Sequence, residues 1–466
     1  MPHETLAAPS LAPDRQSPKP RKPGCSARAL FCALFVFLYA PFAYNFGWKF
    51  LPGGSADYPS YHYAAMLTFA EHKSPYGSAA FDFASQELGR KVHPYLYPPP
   101  SLLAFWPFSK LAFSPGKAAL LVVSHLGYLT AIWLILSRLT LLPNEREKRV
   151  LTVVLSLLYF LLFDPAIVTL AVGQINLLVL PFLCLALVGM RQNFAPWRIA
   201  LPLSVAILLK TYPVLLLLPL FFHRRFKAIL LTCLFLAAFT ALAALVLPSE
   251  VWGSWLREVL PQGGYANNAI SPAGPWNQNI NGFITRLFLP NEFSEAPLPS
   301  PAIARPVATL LALAVLGSTA FYSFRASRRN KSGVLGESEI ASYLLMIFLI
   351  APLSWEHHLV YVLPAAVLGI RMLVTHELSR RRAILVLSAL FLIAWPVPLA
   401  EPALKHAWWT LLISIKFYAA VALWLFFVNQ LRTASLLRPP DPAATHEVPA
   451  APPASPLRAT GAPHTN

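Results

Sequence analysis

The chain has 466 residues, of which 56% are hydrophobic and only 12% charged, with a mean hydropathy of +0.54. A soluble domain carries roughly twice that charged fraction, so the composition excludes an ordinary water-soluble fold and points to an all-α polytopic membrane protein. A formal net charge of +17 would suggest a nucleic-acid partner in a soluble chain, but in a membrane chain orientation has the prior claim on it.

Residues 1–28 are rich in Pro, Lys and Arg and read as a disordered basic tail. The apolar run 29–46 is the first span. It does not read as a cleaved signal, because the basic region before it is too long and no small-residue cleavage site follows. Further spans are expected at 117–142, 150–163, 175–190, 199–209, 212–222, 228–247, 303–324, 338–353, 359–374, 383–398 and 407–428. That makes about twelve crossings or short re-entrant helices within a membrane domain of residues 29–430, and several are short for a full span. Residues 431–466 form a second tail rich in Pro and Ala. The four cysteines (Cys25, Cys32, Cys184 and Cys233) show no metal or redox spacing.

With both tails on the cytoplasmic side, the inside segments hold 25 of the 37 Lys and Arg but only 9 of the 20 Asp and Glu. Nearly all of the net charge then lies on one side, so it sets topology and no nucleic-acid partner is expected. The expected location is the plasma (inner) membrane, with both termini cytoplasmic. The same argument splits residues 200–222. Basic residues flank this run at Arg198 and at Arg224, Arg225 and Lys227, and a single crossing would put one flank outside. A hairpin with Lys210 at its tip keeps both flanks inside, and Pro213 disfavours helix at Tyr212. Residues 98–113, broken by Pro107, read as a helix lying on the outer leaflet.

This topology gathers the unusual polar residues on the extracytoplasmic face. The first loop, 47–116, carries Asp57, Glu71, Tyr95 and Tyr97. Next come Asp164, Gln174 and Asn176, then Lys210, then the loop 248–302 with Asn277, Gln278 and Arg286. Last is the stretch "SWEHH", holding Trp355, Glu356, His357 and His358. Taken singly, Asp57 is a helix cap and the aromatics an interfacial belt. Lys210 lies deep in an apolar run, where an ionisable residue is functional by default. Taken together, the set suits an anionic lipid headgroup. Lys210 and Arg286 would hold a phosphate, while Tyr97, Gln174, Asn176, Asn277, Gln278, Trp355, Glu356, His357 and His358 would bind sugar. A first-loop carboxylate would deprotonate an acceptor hydroxyl. Adjacent histidines point to different faces of a helix and no HxxxH spacing occurs, so neither a metal nor another cofactor is expected.

At these residues the sequence resembles glycosyltransferase family 87, the polyprenol-phosphate-mannose-dependent mannosyltransferases with the GT-C fold. The resemblance rests on the Asp57 segment with "SPYG" downstream, "YLYPPPSLL", "VGQINLLVL", "LLKTYPVLLLLPL", "NQNINGFITRLF" and "PLSWEHHLVYVLPA", which stand in the family's order from Asp57 to Ala365. It implies a GT-C-like bundle with juxtamembrane helices in the first extracytoplasmic loop. It also implies transfer of a hexose, mannose in the family, from a polyprenyl-phosphate donor to a glycan or glycolipid acceptor, with Asp57 as general base. Asp57 is followed by Tyr58-Pro59 and no adjacent acid, which fits a lipid-linked donor and not a metal-bound nucleotide sugar. A transporter or flippase of a lipid-linked sugar is the alternative. Such proteins tend to place broken helices at the midplane of paired repeats, and no repeat is evident here.

Overall fold

The computed structural model describes residues 25–47, 49, 55–89, 92–263, 265, 272–330 and 332–436. The expected tails therefore lie outside the described residues, apart from 25–28 and 431–436, which are helical. The described chain is helical, and its β pairing among these residues is one isolated bridge between Asn277 and Trp355. Helices α1 (Cys25–Phe46), α2 (Tyr58–Phe69), α3 (Ser78–Leu88), α4 (Leu102–Ser109), α5 (Phe113–Leu134) and α6 (Arg146–Leu161) come first. They are followed by α7 (Asp164–Val172), α8 (Asn176–Arg191), α9 (Pro196–Leu209), α10 (Leu217–Phe222), α11 (Phe226–Val246) and α12 (Ser249–Ser254). The last six are α13 (Ile280–Phe288), α14 (Pro301–Arg329), α15 (Glu337–Ile350), α16 (Leu363–Val374), α17 (Arg380–Ala394) and α18 (Ile415–Leu436).

Each of the twelve expected spans falls on a helix. Among the described residues, six helical runs are long and apolar enough to cross a membrane: Phe113–Leu139, Arg146–Val172, Phe226–Val246, Pro301–Arg329, Glu356–Val374 and Ala407–Leu436. Phe35–Phe46 within α1, Asn176–Arg191, Pro196–Leu209 and Tyr212–Phe222 are shorter apolar stretches, and α15 and α17 have 14 and 15 residues. Sequence reading ends the third span at residue 163. In the structure Pro165 opens α7 directly after α6, so the helical path continues to Val172.

Helices without a polar face are buried in a bundle or exposed to lipid, and both kinds occur here. Every residue of α15 from Glu339 to Ile350 is buried, with α14, α16 and α18 packed around it. By contrast α11 is largely exposed, with Leu230, Leu234, Leu242 and Leu245 on its surface. In lipid, burial of apolar surface gains little, so packing and satisfied backbone groups carry the association.

Residues 200–222 form the expected hairpin. Arg225, just past α10, donates to Asn193 Oδ1 and to Phe194 O (3.1 Å), immediately before α9. Both arms therefore start and end at the same end of the bundle, with Lys210 between them in extended backbone. That end is also tied by Glu337, which pairs with Arg191 (3.1 Å) and Arg371 (2.7 Å) and accepts the Leu141 N–H (2.7 Å). The first loop, the Lys210 tip, the 248–302 loop and the C-terminal end of α15 meet at the opposite end.

Candidate functional site

A cavity of about 1090 Å³ opens at that opposite end. Its wall includes Asp57, Tyr61, His93, Tyr97, Gln174, Lys210, Tyr212, Trp255, Trp276, Trp355, His357 and His358. These residues are spread over three hundred positions of sequence, and local backbone features bring each one to the wall.

Asp57 lies one residue before α2, and its backbone N–H donates to Val172 O (2.9 Å) at the end of α7. Gly173 follows in the left-handed region (φ 71°), where a Cβ would come within 2.8 Å of Tyr58 Cβ. Only glycine lets the α7–α8 turn close on the start of α2 this way. Gln174 is thereby delivered to the carboxylate. Its Oε1 accepts from Tyr61 Oη, from Tyr97 Oη (2.9 Å) and from Ile175 N (2.9 Å). With its acceptor end occupied, Nε2 is left to donate to Asp57 Oδ2 (3.0 Å). Burial pushes the Asp57 carboxyl above the usual carboxylate range, opposed by the charges of His93 and Lys210 and by the Gln174 hydrogen bond.

Lys210 is 5% exposed, and its Nζ sits 5.0 Å from the centre of the Tyr97 ring and 2.8 Å from His358 Nε2. The Trp355 N–H donates to His358 Nδ1 (2.9 Å). A neutral imidazole must then carry its proton on Nε2, so Lys210 accepts that proton as an uncharged amine. Its chemistry agrees, because burial lowers the Lys210 ammonium to about 7, with Asp57 pulling the other way.

The "SWEHH" stretch is not a plain span end. It enters a 3-10 helix, Glu356–Val362, that runs into α16. The segment Trp276–Gln278 pins it from the side, with Gln278 N donating to Ser354 O (2.9 Å) and Glu356 N to Trp276 O (2.7 Å). This pairing turns Trp355, His357 and His358 into the cavity.

Seven of the residues expected to serve the site therefore share one cavity wall: Asp57, Tyr97, Gln174, Lys210, Trp355, His357 and His358. Five do not reach it. Arg286 is 1% exposed and donates to Gly274 O (2.9 Å), Asn277 O (3.0 Å) and Ser414 Oγ (2.8 Å). Asn277 accepts from Ser354 N (3.0 Å), and Gln278 bridges Ile413 O and Phe417 N. Asn176 donates to His357 O (3.1 Å) and accepts from Tyr361 Oη (2.9 Å). Glu356 pairs with the buried Lys416 (3.1 Å), which also holds Asp164 (2.7 Å). Arg286, Asn277, Gln278 and Asn176 thus hold irregular backbone around the cavity, and Glu356 is taken up by its ion pair.

Sequence reasoning passed over His93, Tyr212, Trp255 and Trp276. Only their shared wall sets them apart. Among the described residues no group of three or more His, Cys, Asp or Glu side chains is placed to hold a metal ion. The chemistry on the wall is three carboxylates, of which Asp57 is the buried one and Glu258 and Glu292 are the others, one titratable lysine, neutral hydrogen-bonding groups and an apolar stretch from Ile347 to Leu353.

The sequence profile of glycosyltransferase family 87 matches residues 95–352, more than half of the chain. Two relatives are similar to it. One is the polyprenol-phosphate-mannose-dependent alpha-(1-2)-phosphatidylinositol mannoside mannosyltransferase of Mycobacterium tuberculosis, 26% identical over 69% of this chain and 75% of the relative. The protein of the same description from Mycolicibacterium smegmatis is 27% identical over 62% of this chain and 63% of the relative. No solved structure matches the chain.

Proposed function

Since this chain belongs to glycosyltransferase family 87, we propose that it transfers a mannosyl group from a polyprenyl-phosphate donor to a glycan or glycolipid acceptor on the extracytoplasmic side of the plasma membrane. The observation that carries the reading is the meeting of Asp57, its Gln174 partner and Lys210 on one cavity wall. The printed activity of the two relatives supports the donor class.

In this reading the donor phosphate lies at Lys210, which takes up a proton when the phosphate arrives. The polyprenyl chain leaves along Val214, Leu215 and the Ile347–Leu353 wall. Tyr212 Oη donates to Leu353 O (2.8 Å) and holds the two sides of that path together. Asp57 removes the proton from the acceptor hydroxyl, and the oxygen attacks the anomeric carbon. The bond from that carbon to the phosphate oxygen breaks, and polyprenyl phosphate departs with the electron pair. Lysine charge at the leaving phosphate stabilises the transition state. Gln174 keeps the basic oxygen of Asp57 aimed, because its amide is fixed by three donors. The acid-raised carboxyl suits a base, since proton transfer is most effective when the catalytic group titrates near the working pH.

Transfer in proteoliposomes from a short polyprenyl-phosphate mannose to a panel of mannosides tests this. Asp57→Asn should lower kcat by about 10²–10⁴-fold, the range for a lost general base, while inserting and binding donor normally. Retained activity would remove Asp57 as the base. Flux of the lipid-linked sugar without a glycosidic product would make the protein a transporter.

A further inference from the structure

Among the described residues, the cavity wall draws on nothing beyond His358. Helix α18 nevertheless reaches the site through its second residue. The Lys416 side chain is 0% exposed, and its Nζ lies 2.7 Å from Asp164 Oδ2 and 3.1 Å from Glu356 Oε2. Taking an ammonium out of water is costly unless its partners are well placed, and an ionisable residue inside a membrane bundle is functional by default. Here one lysine answers to two carboxylates. They belong to the first residue of α7 and the first residue of the 3-10 helix Glu356–Val362.

The geometry of that 3-10 helix says what the cluster controls. Such a helix turns once every three residues, so side chains three apart share a face. Trp355, His358 and Tyr361 form one face. The Trp355 N–H reaches His358 Nδ1 (2.9 Å), and the His358 and Tyr361 rings stack at 6.3 Å. Glu356 stands a third of a turn away and pairs with Lys416. The helix has only seven residues, so fixing Glu356 fixes the direction of His358. On the His358 side stand Lys210 Nζ, 2.8 Å from His358 Nε2, and the Tyr212 ring, edge-on at 5.8 Å. Asp164 adds α7 to the clamp, and Thr169 of α7 also donates to His357 O (3.3 Å).

We propose that Lys416 and Asp164 are positioning residues for transfer: acting through Glu356, they set the rotation of the 3-10 helix and hold His358 Nε2 against Lys210. The inference rests on the reading of Lys210 as the lysine of the donor phosphate. The proton that His358 donates favours the uncharged amine. A displaced His358 therefore leaves Lys210 charged to a higher pH.

The alkaline limb of kcat/KM for donor reads this. Asp57, His357, Tyr97 and Tyr212 also face Lys210, so Lys210→Met serves to identify the limb. In Lys416→Met the limb should move up from about 7 by about one pH unit, the size of one lost hydrogen bond. His358→Phe should shift it equally, and the two substitutions together no further than either alone. If two unpaired carboxylates keep Lys416→Met from inserting, Asp164→Asn/Glu356→Gln/Lys416→Met removes all three charges at similar volume and should show the same shift. An unmoved limb, or shifts that add, would overturn the proposal. A second readout needs no transfer: ¹⁵N NMR of the histidine-labelled full chain in liposomes, with His358 assigned by its loss in His358→Phe. Its Nε2 resonance should move in Lys416→Met to the position seen in Lys210→Met; a resonance that stays put sinks the idea. A resonance that moves in a protein that transfers nothing, or whose alkaline limb survives Lys210→Met, would leave the positioning standing and remove the catalytic reading.

Discussion

The two ends of the bundle use polar residues in opposite ways. At the end where the α9–α10 hairpin is anchored, charge meets charge: Glu337 bridges Arg191 and Arg371, and Arg225 caps the open carbonyl of Phe194. These ties are partly exposed and each closes a gap between helices. At the cavity end the charged pair is different in kind. Asp57 and Lys210 are both buried, both are pushed toward their neutral forms, and the lysine contact is best satisfied without a charge. Indole and imidazole nitrogens beside them stay open. Open nitrogens occur at both ends, Arg371 Nε and His223 Nδ1 among them at the anchored one, so the ends differ in how their charges are paired and not in how completely their polar groups are satisfied.

The sharpest way to break that contrast is Lys210→Met. The side chains are similar in length, so the hairpin tip should hold, while kcat/KM for the donor falls by about 10²–10³-fold, as for loss of one transition-state charge partner. Little change in a steady-state assay would place the donor phosphate elsewhere.

The pH profile sharpens the same point. Asp57 must be ionised to act, so the acid limb of kcat/KM rises through a pKa above the ordinary carboxylate range. Lys210 is charged below its folded value of about 7, so kcat/KM should fall as pH rises through that value. The profile of kcat, taken with donor bound, should extend further into alkali, because phosphate holds the proton on the lysine. Lys210→Met should lose the alkaline limb in kcat/KM. A limb that survives belongs to another group.

Arg286→Met separates a builder from a binder. It strips the donors from three carbonyls and a hydroxyl, which should cost about 3 kcal/mol or more of stability, read as a lower Tm in detergent. The KM for donor should hardly move. A raised donor KM with an unchanged Tm would return Arg286 to the phosphate. The smallest effect is expected at the opposite end, where Glu337→Gln should shift stability by about 1 kcal/mol or less and leave transfer unchanged.

The helices were legible because lipid leaves few options: a long apolar run must satisfy its backbone internally, and a helix does so. Charge asymmetry then located Lys210 at a hairpin tip, and the Asn193–Arg225 contact bears out the shared anchoring of the two arms. Residues that are odd for their surroundings, Lys210, Asp57 and the paired histidines, do meet on one cavity wall. Elsewhere the structure gives oddness another account. Asn277, Gln278 and Asn176 are polar in an apolar context because loops at membrane depth need side-chain partners for their open backbone groups. Trp255 and Trp276 gave the opposite problem. Tryptophan at a membrane surface is expected, so nothing in the local sequence distinguishes an indole facing lipid from one facing a cavity.

The hairpin's length has a consequence of its own. Helix α9 has 14 residues, a rise of roughly 21 Å, while the hydrocarbon layer is about 30 Å thick. The arm is therefore shorter than the layer it enters, and such hydrophobic mismatch is relieved by thinning the bilayer nearby. A dimple at the cavity mouth would bring the phosphate of a lipid donor down to the level of Lys210 without lifting its chain out of the leaflet. In the proposed reading, transfer in vesicles of longer acyl chains would then be slower than in vesicles of shorter ones, through the shortness of one helix.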